Sequence, residues 1–85
     1  MEETFTRESP TKVVSSLGYS VETLGRTGIQ YIDATHNVGL SAEGLMINAY
    51  SLYTSSIPGD GDEKARILAN VQKAFAFSRV GLQII

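Results

Sequence analysis

Seven cations are the side chains of this chain best suited to hold a ligand: Arg7, Lys12, Arg26, Lys64, Arg66, Lys73 and Arg79. Arg79 sits in the sequence among Phe75, Ser78, Val80 and Leu82. A guanidinium buried in such company needs an anionic partner, and an unburied one snorkels to water. Arg66 and Lys73 are seven apart, so a helix would present both on one side. Lys64 lies beside a Gly-rich turn whose amides suit an anion. Lys12, Tyr19 and Arg26 stand at i, i+7 and i+14. On a helix they form a face of cation, aromatic, cation, which suits a phosphate beside a stacked base. The same spacing also describes an ordinary solvated face. The candidate ligand-binding residues are therefore Arg79, Arg66, Lys12, Tyr19 and Arg26.

Catalytic and metal chemistry find less support. Asp33 and His36 are three residues apart and can touch, which reads as a solvated surface pair. Asp60, Asp62 and Glu63 lack the spacing of a calcium loop and suit the start of a helix instead. The glycines do not form a phosphate-binding P-loop. With no Cys and one His, disulfides, thiolate metal sites and His clusters within the chain are excluded. No cofactor and no metal is expected, and an enzyme is the least favoured class. The net charge of −2 gives no basic face for DNA or RNA. The polar start "MEETFTRESP" has no apolar signal-peptide core, and no run of about 18 apolar residues appears. The expectation is a cytoplasmic protein without a membrane partner.

The elements that must position these residues read as helices. Ser9-Pro10 has the form of an N-cap and first helical position. From there, Val14, Val21, Gly28, Thr35, Ala42 and Ala49 make one heptad row, and Leu17, Leu24, Tyr31, Val38, Leu45 and Leu52 make its partner. This spacing predicts a long helix over about 10–54, with a possible break at Gly18-Tyr19-Ser20. Its glycines, each worth roughly 1 kcal/mol against Ala, require outside packing to hold it. Pro58-Gly59 stops it, Asp60 is placed to cap, and a second helix is predicted over about 61–84. The fold class that follows is all-α: a tail over 1–9, then an antiparallel helical hairpin over 10–85 with coiled-coil-like packing. Both helices carry more apolar surface than one partner covers. Either a large partner covers it or the chain assembles with copies of itself, and a helical homo-oligomer with ligand pockets between subunits is the favoured expectation.

From Ile57 onward the chain resembles the phage helical-hairpin sponges that capture cyclic-nucleotide alarm signals and counter the CBASS and Thoeris defences. The resemblance rests on a Pro-Gly-type turn, the pair Glu63-Lys64, the apolar positions Ile67, Leu68 and Val71, then Ala74, Phe77, Ser78 and Gly81-Leu82. It implies a non-enzymatic anti-defence protein that sequesters a cyclic di- or oligonucleotide or a cyclic ADP-ribose isomer. The runner-up reading is a self-assembling structural subunit, such as a virion, filament or needle-like component, with no small-molecule ligand.

Overall fold

Alternation with a period of two, rather than seven, organises the first two thirds of the chain. The computed structural model describes residues 3–25, 27–46 and 49–85. Strands β1 (Phe5–Ser9), β2 (Lys12–Ser15), β3 (Ser20–Thr23), β4 (Gly28–Ile32), β5 (Asn37–Met46) and β6 (Ala49–Leu52) follow one another as a meander. A single 3-10 turn (Thr54–Ser56) leads to the helix α1 (Gly61–Ser78), and β7 (Gly81–Ile84) comes last. The spatial order is β1-β2-β3-β4-β5-β6-β7. Neighbours run antiparallel except β6 and β7, which are parallel and joined through α1, as a parallel pair requires.

The buried positions show why these segments are strands. Val13 and Ser15, Tyr19 and Val21, Ile29 and Tyr31, and Leu40 and Ala42 are buried two apart. That is one face of a pleated sheet. β4 pairs with Asn37–Ser41, whereas β6 pairs with the other half of β5, Ala42–Met46, across a bulge near Gly44. The long strand thus serves two neighbours in succession, and the sheet curls. The concave face is filled by α1, whose buried residues Ile67, Asn70, Val71, Ala74 and Phe75 recur at helical spacing. Tyr50 of β6 meets Phe75 edge-on, with ring centroids 5.8 Å apart.

The all-α hairpin and the coiled-coil-like packing expected from the sequence are therefore corrected. The segment 10–54 is predominantly strand and turn, not one long helix. Ser9-Pro10, expected to open a helix, stands at the turn between β1 and β2. One heptad row contains both extremes of exposure. Leu17 and Leu24 are 60% and 46% exposed, whereas Tyr31 and Leu52 are 0% exposed. No single helix face does that. Gly18 and Gly25 have φ of +94° and +70°, so they turn the chain between strands rather than sit inside a helix. The second helix starts where expected, at Gly61, but ends at Ser78 instead of reaching 84. Arg79 adopts the left-handed conformation with φ 59°, and its amide and that of Val80 bond back to Ala76 and Phe75. The chain then leaves as β7.

A helix seam makes Leu24 and Leu52 equivalent, whereas the sheet separates them. Leu52→Ala should lower unfolding free energy by about 2–5 kcal/mol. Leu24→Ala should change it by about 0.5 kcal/mol or less. Chemical denaturation of the two variants measures the difference.

Candidate ligand cleft

Two hairpin turns lie at the same end of the sheet, beside the first half of α1. The turn from Ser16 to Tyr19 joins β2 to β3, and the turn from Asp33 to His36 joins β4 to β5. Between them and the helix is an open cleft of about 540 Å³, lined by Leu17, Gly18, Tyr19, Asp33, Ala34, Thr35, Arg66 and Asn70.

Asp33 builds the second turn. Its Oδ1 accepts hydrogen bonds from the backbone amides of Thr35 (2.9 Å) and His36 (2.8 Å), and its own amide donates to the His36 carbonyl (2.8 Å). Such an Asx turn closes a strand-to-strand connection with one short side chain. Its Oδ2 accepts from the Tyr31 hydroxyl (2.8 Å) and from Arg66 Nη1 (3.2 Å). Asn70 then donates to the Tyr31 hydroxyl oxygen at 3.0 Å. One carboxylate therefore ties turn, sheet and helix together. Burial pushes the Asp33 carboxyl up, but the bonds from Thr35, Tyr31, His36 and Arg66 outweigh it and hold the group well below the usual carboxylate range. The bond to Asp33 in turn raises the Arg66 guanidinium above its ordinary value.

His36 lies between two carboxylates, with Nδ1 3.1 Å from Asp33 Oδ1 and Nε2 2.9 Å from Glu63 Oε1. The expected pair of Asp33 and His36 does touch. It forms inside a turn, with the two side chains only 7% and 14% exposed, and not on a solvated helix face. Glu63, in the first turn of α1, reaches His36. Asp60 occupies the N-cap position without a side-chain cap bond. Among the described residues, no group of three or more His, Asp or Glu side chains is arranged to hold a metal ion.

The other wall of the cleft is held by Glu3. Its Oε2 accepts from the hydroxyls of Ser15 and Tyr19, the latter at 2.5 Å, and its Oε1 lies 2.7 Å from Lys73 Nζ. Burial raises the Glu3 carboxyl, and the bonds from Lys73, Ser15 and Tyr19 bring it below its ordinary value overall. Burial and the bond to Glu3 push the Tyr19 phenol well above its usual range. The Tyr19 ring stacks on Tyr31 at 6.0 Å, and Lys73 stands 5.7 Å from its centroid.

Of the five residues singled out from the sequence, the cleft brings together Arg66 and Tyr19. Lys12 lies on β2, bonded to Glu8 at 3.3 Å, so the helical face it was to share with Tyr19 does not exist. Arg79 caps the far end of α1 in an exposed position, without a buried anion site around it. Arg26 lies outside the described residues. Sequence reasoning missed Asn70 and the structural role of Asp33. The readable signal was Asp33-Ala34-Thr35 between the alternating runs Ile29/Tyr31 and Val38/Leu40.

The depressed Asp33 carboxyl makes stability fall in acid. Its contribution is complete above the ordinary aspartate value of 3.8 and is lost as pH falls below it toward the lower folded value. Asp33→Asn should cost about 1–3 kcal/mol at neutral pH, and its stability should fall less steeply than the wild type's between about pH 5 and 2. Urea unfolding across that range measures both. No protein-family model, curated protein or solved structure matches the chain.

Proposed function

We propose that this protein is a non-enzymatic capture module whose ligand, a small phosphate-bearing molecule with a flat polar ring, sits in the cleft. The observation that carries this reading is Arg66. Its guanidinium is anchored through Nη1 on Asp33 at 3.2 Å, with Glu63 Oε1 3.9 Å from Nη2, yet its side chain stays 49% exposed at the cleft. An anchored fork with free donors is the form in which Arg recognises phosphate. Leu17 and Ala34 supply apolar surface, and Thr35 and Asn70 supply polar atoms for the edge of a ring. The volume falls within the roughly 300–1,000 Å³ range of small-molecule sites. His36 and the hydroxyls of Tyr19 and Tyr31 are engaged in bonds that hold the turns, which favours binding over turnover. Cyclic dinucleotides, cyclic oligonucleotides and cyclic ADP-ribose isomers belong to this ligand class. Sequestration of such a signal, as in phage counter-defence, is the biological form of the proposal. It needs no helical hairpin and no pocket between subunits.

Calorimetry and thermal shift against these cyclic ligands, mononucleotides and inorganic phosphate test it. At least one cyclic ligand should bind and raise the melting temperature. Arg66→Ala should weaken that binding by about 10- to 100-fold, whereas Arg79→Ala and Lys12→Ala should leave it unchanged. Silence across the whole panel, or undiminished binding by Arg66→Ala, refutes the assignment.

A further inference from the structure

The two edges of the sheet are built differently. The β1 edge is guarded against pairing. It carries exposed Arg7 and Glu8, its register shifts between Arg7 and Ser9, and Pro10 follows immediately. The β7 edge has none of these devices. Val80 to Ile85 contains no charged side chain and no Pro, its register with β6 is regular, and Ile84 and Ile85 are 36% and 56% exposed.

The hydrogen bonds of β7 show what its free side offers. The Ile85 amide donates to the Leu52 carbonyl at 2.9 Å, and the Ile85 carbonyl accepts from the Thr54 amide at 3.0 Å. Backbone groups along a strand point to alternate sides. Gly81, Gln83 and Ile85 therefore face β6, while the N–H and C=O of Leu82 and Ile84 point away from it. No strand among the described residues pairs with that side.

We propose that two copies of this chain pair antiparallel through β7, about a two-fold axis at Gln83. This axis keeps 81–85 of both copies in register. Leu82 then lies opposite Ile84 of the second copy, and Ile84 opposite Leu82. Each pair exchanges both of its backbone hydrogen bonds, because these are the residues whose polar groups point outward. The same pairs set apolar side chains against one another on one face, covering the exposed Ile84. Gln83 meets Gln83 of the second copy at the closely spaced, non-hydrogen-bonded position. The occupant is a second copy because the segment carries no charged side chain and is self-complementary. It meets itself without like-charge repulsion, and it offers no charge to a basic or acidic peptide. So short a pairing gives a dimer that dissociates on dilution.

Sedimentation of the full chain should show mass rising from monomer toward dimer with concentration. Gln83→Lys and Gln83→Glu should each weaken self-association by at least about tenfold, because like charges then face each other across the axis. An equimolar mixture of the two should restore a dimer. Ile84→Pro removes an outward amide without touching the β6 ladder, so it should be monomeric with an unchanged far-ultraviolet circular dichroism spectrum. A protein monomeric up to millimolar concentration overturns the proposal. So does a dimer that survives these substitutions, or a Lys/Glu mixture that stays monomeric.

Discussion

The contact on which this fold depends is the seating of α1 in the curled sheet. Ile67, Val71, Ala74 and Phe75 form a core with Ile29, Tyr31, Leu40 and Leu52. A curled sheet of this kind has a concave face that must be covered, and among the described residues one α-helix is available to cover it. Ile67 and Val71 are 0% exposed, as are Ile29, Tyr31 and Leu52 facing them across the core. The chain therefore concentrates its large apolar side chains at this one seam, as a domain of this size must. The same seating positions the cleft. Arg66 and Asn70 flank Ile67 and Val71 along the helix, so their polar ends arrive at the turn end of the sheet.

Burying Asp33 beside that seam would be unfavourable if the carboxylate were alone. It is not alone. Turn amides, the Tyr31 hydroxyl, His36 and Arg66 converge on its two oxygens. Glu3 repeats the arrangement on the other wall with Ser15, Tyr19 and Lys73. Each carboxylate sits at the join of a sheet residue and a helix cation. Together they tie both walls of the cleft to α1.

The sequence misled where two periodicities overlapped. A heptad row steps by seven, an odd number, so on a strand its successive members fall on opposite faces. Leu17, Leu24, Tyr31 and Leu52 form a regular row on paper, yet in space the first two lie in or beside turns and the last two lie in the core. The alternation of Val13/Ser15, Ile29/Tyr31 and Leu40/Ala42 was present in the same residues. Interrupted by turns every few residues, it was shorter and weaker than the heptad. The glycines that burdened a helix were the better signal, because Gly18 and Gly25 are the positive-φ residues of turns. At the other end, Leu82 and Ile84 extended the apolar stripe of α1 on paper. The left-handed Arg79 broke the helix before they could join it.

What the sequence determined by itself is local. Pro58-Gly59 stops the preceding segment and starts α1 at Gly61, because proline and a positive-φ glycine act through their own backbone. The three-residue spacing of Asp33 and His36 likewise allowed their contact in any compact conformation. Tertiary structure decided everything carried by distant pairs. Arg66 finds Asp33 across 33 residues, Asn70 finds Tyr31 across 39, and Tyr19 finds Glu3 across 16. Strand register and helix seating bring these groups together. Neither is written in the spacing of the residues themselves, because each is a collective outcome of burying one core.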